Sequence, residues 1–465
     1  MDNGSVDAWG MQREMCLRAG PDNDGNPRRP PFDPVLAAFR IKGALSAAHL
    51  VTAAGLMVDR TDVLHARLRR SAGRFVSTPE TGAAGVPIVT ADLTGQAPPD
   101  QRRRLQHLIG GLRSGLNDMQ DGPLGTIVLV RTDDHEHILC AMFDHSVMDL
   151  YAVSSWLRRL GRVYGRLAAG DVPGAEVAAR PDIDFLPYVR EQLADTGERA
   201  AAEQFWRSAA GTGVPLEMPG GRWRPWREMR SGNHLTHEFP AADVRALARV
   251  CQVTGGSRPY VFLGAFSLVL AGAAGTEFAP VTYVRHGHEA GEPAPTGPLY
   301  ESVITCAPRP PGGPAASWLA DFVAVNLAAP HMRGWALVDF GGLDSTMELR
   351  RYMINTPFPS GKLRLGELRA ERVPPDEVLP AGPPSVRHNN GIRLFAWSWD
   401  RLLAVLQHDP RDLPDGVALL AATGAVLRAV AERPATPVAD VMAMAARQMA
   451  AAPRAAPLTA PPGTA

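Results

Sequence analysis

Gly125-Thr126-Ile127-Val128-Leu129-Val130-Arg131, Thr132-Asp133-Asp134-His135-Glu136, His137-Ile138-Leu139-Cys140-Ala141-Met142-Phe143 and Asp144-His145-Ser146-Val147-Met148-Asp149 run on without a break. Two apolar runs of strand length around a polar turn predict a β-hairpin. Beyond it, Leu150, Val153, Trp156, Leu157, Leu160, Val163, Tyr164 and Leu167 recur at helical spacing, which predicts an amphipathic helix. His145 therefore falls at a strand end and Asp149 at a helix start, where side chains reach the rim of a sheet. Neutral imidazole is the group best suited to take a proton near pH 7. The spacing His-x-x-x-Asp is short, however, and the chain has 13 histidines. A junction histidine bonded to backbone, followed by an aspartate that favours the helix dipole, fits the same pattern.

Outward from this stretch, strands are expected over 35–41 and 87–92, and helices over 46–59, capped by Ser46, and 102–116. Residues 169–180 read as a linker of Gly, Pro and Ala, and 184–210 as helical. A Pro/Gly/Trp-rich region follows to about residue 233. The second half is expected to carry strands over 234–239, 278–284, 300–307 and 392–399, with helices over 241–253, 259–274 and 415–431. Both halves mix strands and helices, and 465 residues are too many for one core. An α/β chain of two lobes is the expectation: 1–180 with the His-x-x-x-Asp motif, 181–450, and a disordered tail over 451–465.

Forty-eight basic residues balance forty-eight acidic ones, so no net field draws the chain to nucleic acid. Four scattered cysteines with no Cys-x-x-Cys spacing argue against a zinc knuckle or a disulfide framework; Cys140, in an apolar run, is expected to be buried and inert. With neither an apolar leader nor a membrane-length apolar run, a cytoplasmic protein is expected. His286 and His288 suggest a metal corner but lack companion ligands, so no metal is expected. Trp223, Trp226 and the arginines between Arg222 and Arg230 suit either an anionic partner or an irregular connector. Pro359-Ser360-Gly361-Lys362 lacks the rest of a phosphate-loop pattern.

Residues 143–160 resemble the core motif of nonribosomal peptide synthetase condensation domains, which usually reads His-His-x-x-x-Asp-Gly. Asp144 stands at the first histidine, His145 at the second, Asp149 at the aspartate and Leu150 at the glycine. Asp121-Gly122-Pro123-Leu124, Phe39-Arg40-Ile41-Lys42-Gly43 and the block from Arg60 to Leu68 are similar to further family segments. Trp9-Gly10-Met11-Gln12-Arg13-Glu14-Met15 resembles the opening block, with Gln12 in the expected place. Gln204-Phe205-Trp206, the apolar residues 260–270 and a degraded Ser302-Val303-Ile304-Thr305 block follow in order. The resemblance runs over about 6–441.

It implies two chloramphenicol-acetyltransferase-like lobes in a V-shaped pseudo-dimer with a central tunnel. A carrier protein's phosphopantetheine thioester, or coenzyme A, would enter as donor from one face and a small amine or alcohol from the other, with no permanently bound cofactor. His145 would be the catalytic base of an acyltransferase serving natural-product or antibiotic biosynthesis. Asp149 would be structural, held by Arg285, with Arg60 or Arg67 in reserve. The departures bear on chemistry: Asp144 would raise the imidazole pKa if the two side chains converge, Leu150 would narrow the donor channel, Ile304 removes a polar group, and His65 replaces an arginine. The lack of adenylation or carrier segments implies a carrier supplied in trans, and a monomer is expected. Two alternatives stay open: a repurposed fold that cyclises or otherwise alters a pathway intermediate, and a non-catalytic carrier-binding domain.

Overall fold

The computed structural model describes residues 5–451 apart from 22–26, 30–33, 73, 80–84, 117, 120–122, 211–215, 217, 220, 222–223, 229–232, 287–294, 309–311, 330–333, 357–361, 380–390 and 398–400. Two six-stranded sheets organise them. The first runs Lys362–Leu365, Leu368–Arg372, Val35–Lys42, Glu136–Phe143, Gly125–Asp133, Ile88–Asp92; its neighbours are antiparallel except the last pair. The second runs Asn233–Glu238, Leu403–His408, Ile392–Trp397, Tyr352–Asn355, Thr282–His286, Tyr300–Ile304, with the three central strands parallel. Each sheet buries its own core, which gives the expected two-lobed α/β architecture.

Local physics explains the elements next to the site. In the hairpin, Val128 pairs with Cys140 and Val130 with Ile138, all buried, so a slip of one residue would turn the sheet faces over. The helix Leu150–Ala168 buries Val153, Trp156, Leu157, Leu160, Val163 and Tyr164 along one face. Ser46 caps Ala47–Asp59 as expected, accepting from the His49 N–H at 3.3 Å.

Three local expectations need correction. The stretch read as a linker holds the helix Val172–Ala179, because Asp171 caps it at the Gly174 N–H (3.0 Å) and Pro173 is tolerated in a first turn. The strand expected from residue 278 begins only at Thr282. Before that point the Ala279 carbonyl accepts from Ser267 Oγ and the Val281 N–H donates to Thr305 Oγ1, so neither is available to a ladder. The helical segment 184–210 is two helices, Phe185–Ala194 and Thr196–Ala210. Helices Gly10–Arg18, Ala315–Leu327, Val338–Leu349 and Val438–Ala451 and the strand Leu403–His408 lie outside the expected elements. Of the tail expected as disordered over 451–465, Ala451 ends the helix Val438–Ala451, and 452–465 lie outside the described residues.

Among the connections that join the halves in the described residues, three bear on the site. The Lys362–Arg372 hairpin comes from the second half yet completes the first sheet, with Ala370 opposite Ile41. A cut at residue 180 would take two strands from that sheet. The hairpin's turn rests on the helix Leu150–Ala168: the Gly366 N–H donates to the Gly161 carbonyl at 3.2 Å, and a Cβ at Gly161 would overlap the Arg364 carbonyl oxygen. The helix Gly10–Arg18 is the second connection, through Arg13, whose guanidinium donates twice to Asp339 at 2.6 Å, and Glu14, which pairs with Arg350. The third is made by Asp149 and belongs to the site. Among the described residues, no single helix is long and apolar enough to cross a membrane.

Candidate active site

His145 sits on a tight turn between the strand Glu136–Phe143 and the helix Leu150–Ala168. The Asp144 carbonyl accepts from the N–H groups of Val147 and Met148, both at 3.1 Å, and the Asp144 carboxylate accepts from the Ser146 N–H at 2.8 Å. Outside the turn, Gln12 braces it. Its Nε2 donates to the Ser146 carbonyl at 2.7 Å while its Oε1 accepts from the Trp9 N–H at 2.9 Å. Both sides of this buried amide are thus engaged, so the turn carrying the imidazole is pinned from the N-terminal helix. Half-exposed His145 is the member of Asp144–Asp149 that this scaffold presents, while Asp144, Ser146, Val147, Met148 and Asp149 are all buried.

Asp149 caps the helix: Oδ1 accepts from the Ala152 N–H at 2.7 Å. Its other oxygen accepts from the Tyr300 N–H at 3.0 Å, across 151 residues of chain and from the other lobe. Backbone donors at Tyr151 and Leu299 add to the set, yet burial outweighs them and pushes the carboxyl up to about 6. Burial likewise pushes the Asp144 carboxyl up to about 6, against the bonds from Ser146. Among the described residues, no arginine holds either carboxyl in its charged form.

Tyr300 completes the constellation from the second lobe. Its ring lies 5.9 Å from the His145 ring at 66°, an edge-on contact. Tyr300 also lines a small crevice, together with Trp9, Met11, Trp206, Glu301 and Trp335 among others. Trp335 is flanked by the guanidinium groups of Arg13 and Arg199, 5.2 Å and 5.1 Å from its ring centre. Behind Tyr300 lies a buried charge group. Glu14 pairs with Arg350 and accepts from Arg18 at 3.3 Å, and burial together with the charges of Arg18 and Arg350 lowers the Arg393 guanidinium to about 9.

The expected site residues fare differently. His145 and Asp149 come together with Asp144 as neighbours on one turn. Arg285 is not the partner of Asp149: its Nε donates to Glu301 at 2.9 Å and its Nη1 to the Ala329 carbonyl at 2.8 Å. Glu301 lies directly opposite Arg285 in the antiparallel register, so a cross-strand pair forms where a cross-lobe pair was expected. The reserves do not serve either, since Arg60 is exposed and buried Arg67 donates to the Ala66 carbonyl. Asp144 spends its carboxylate on its own turn. Leu150 packs, partly buried, on the first lobe's core. Ile304 is buried with Ala202, Trp206 and Leu337, behind the crevice wall.

Cys140 is buried as expected, which pushes its thiol up to about 12. Among the described residues no group of three or more His, Cys, Asp or Glu could hold a metal ion. His288, Trp223, Arg222, Arg230 and 359–361 lie outside the described residues. Tyr300, Arg350 and Arg393 form the part of the site that sequence reasoning missed. Gln12 was visible as a motif position, without its bond to Ser146.

A family model described as the condensation domain matches residues 35–294. Malpinin synthetase of Mortierella alpina is 27% identical over 194 residues, which is 42% of this chain and 2% of that protein's length. The chain thus spans only a small part of this curated relative. The starter condensation domain of rhizomide synthetase, solved with C8-CoA, is similar with a TM-score of 0.71 at 17% identity, covering 94% of this chain and 96% of that one. The SgcC5 protein from Streptomyces globisporus is similar with a TM-score of 0.66 at 16% identity, covering 93% and 100%. At such identities these likenesses show a shared fold.

Proposed function

This chain belongs to the condensation-domain family, and from that premise we propose that it transfers an acyl group from a thioester to a small amine or alcohol. The observation that carries the reading is the placement of His145: half-exposed on a turn braced by Gln12 and capped by Asp149, against a residue of the opposite lobe. In the reaction, the acceptor nitrogen or oxygen attacks the thioester carbonyl carbon as its proton passes to the imidazole. The tetrahedral adduct then expels the thiolate, which takes that proton as the C–S bond breaks. A base so placed contributes about 10²–10⁴-fold. Asp149 acts on this chemistry by holding the turn and the Tyr300 backbone.

The donor is a phosphopantetheine thioester, on a carrier protein supplied in trans or on coenzyme A; the rhizomide synthetase domain, which shares this fold, was solved with C8-CoA. The test is intact-mass spectrometry of an acyl-loaded carrier protein, and of acyl-CoA, incubated with a panel of amines and alcohols. Acceptor-dependent unloading by the wild type that disappears in His145→Ala is expected. Donor that stays loaded with every acceptor would refute the transferase and favour a carrier-binding domain. Conversion of an intermediate without thioester loss would favour a repurposed fold.

A further inference from the structure

We propose that Tyr300 is a positioning residue for His145, a role that rests on the reading of His145 as the base. A half-buried imidazole on an otherwise buried turn has a broad torsion about its ring bond, so its plane is set by what it touches. Here a phenol ring lies edge-on to it at 5.9 Å and 66°. The backbone that carries that ring is itself held. The backbone N–H of Tyr300 donates to Asp149 at 3.0 Å, and Asp149 caps the helix that starts five residues after His145. One carboxylate therefore sets both the turn that carries the imidazole and the residue that faces it. Trp9, Met11, Trp206 and Trp335 line one crevice with Tyr300. Burial and the charge of Glu14 raise the phenol's pKa, so it stays neutral and packs as a ring.

The experiment compares the full-length wild type with Tyr300→Phe and Tyr300→Leu, all labelled with ¹³C at histidine Cε1. The His145 signal is assigned by its loss in His145→Gln. In Tyr300→Leu we expect that signal to leave its wild-type position while the remaining histidine signals hold theirs; in Tyr300→Phe, which keeps the ring, it stays. In the mass-spectrometric transfer assay, Tyr300→Leu loses about tenfold in kcat with KM changed by less than about twofold, and Tyr300→Phe retains most of the rate. Should the Leu variant melt early, Tyr300→Met takes its place. An unmoved His145 signal in the ring-deleted variant overturns the proposal, as does a Phe variant as impaired as the Leu variant. If the wild type transfers nothing, or His145→Ala transfers as well as it does, the acyltransferase reading falls, while the plane of the His145 ring in a crystal structure of Tyr300→Leu, turned if the proposal holds and unchanged if it fails, still decides whether Tyr300 orients the imidazole.

Discussion

Asp144 makes stability depend on pH in a way that runs against the usual carboxylate, and replacing it by asparagine removes that dependence. The folded carboxyl titrates near 6, raised by burial from its ordinary 3.8. Between those values the folded state holds a proton that the unfolded chain has released. The stability tied to that proton is fully present below the unfolded value and is lost as pH rises through the folded one. At about 1.4 kcal/mol per pH unit, the climb from 3.8 to about 6 amounts to about 3 kcal/mol of lost stability at neutral pH. The side chain is 1% exposed, so solvent does little to screen this. An asparagine in its place would keep an acceptor for the Ser146 N–H and carry no charge. Its amide would point where Oδ2 has no hydrogen-bond partner among the described residues, a pH-independent cost of about 1–3 kcal/mol. The slope is therefore the test. Urea unfolding of wild type and Asp144→Asn from about pH 4 to about pH 7.5 should show the variant gaining about 2–3 kcal/mol on the wild type across that range. A difference independent of pH, or one that turns further against the variant as pH rises, would refute the reasoning, because the carboxylate would then be at home in the fold.

Gln12→Ala removes a buried amide that bonds two backbone groups, and should lower stability by about 1–3 kcal/mol by urea unfolding while reducing kcat more than it raises KM. Gly161→Ala pushes a methyl group into the Arg364 carbonyl, which should cost about 1–3 kcal/mol and expose the 362–372 hairpin to limited proteolysis, leaving the second lobe's core intact. Arg285→Ala and Glu301→Ala should each destabilise and couple in a double-mutant cycle by about 1 kcal/mol or more, whereas Arg285→Ala with Asp149→Ala should be additive within about 0.5 kcal/mol. Strong coupling in the second cycle would restore the arginine-held aspartate.

What was legible in the sequence was what depends on neighbours in the chain. The apolar rows that surround His145 dictate a hairpin and a helix whatever the second lobe supplies, and both stand where the spacing puts them. The cap at Asp149 is of the same kind, since Ala152 is three residues away. The helix Val172–Ala179 escaped because its composition, rich in Ala, Gly and Pro, signals a linker unless the Asp171 cap is weighed. The strand Leu403–His408 is held by partners both near and far: it pairs with Ile392–Trp397 and with a strand about 170 residues earlier, a pairing no local pattern records.

The misassigned partner of Asp149 shows where local reasoning stops. A buried carboxylate needs compensation, and an arginine is the obvious source; here backbone N–H groups from two lobes supply part of it, and the rise to about 6 shows that they leave the rest unmet. Arg285 was claimed first by geometry. Once Thr282–His286 and Tyr300–Ile304 pair antiparallel, Glu301 stands opposite it, and a cross-strand neighbour takes precedence over a residue in another lobe. The same register puts Tyr300 at the end of its strand, next to the turn of the first lobe, where its N–H reaches Asp149. One strand pairing thus both removes the expected ion pair and delivers the residue that faces His145. The architecture of the site follows from that register, and the register becomes readable only when the second lobe is folded against the first.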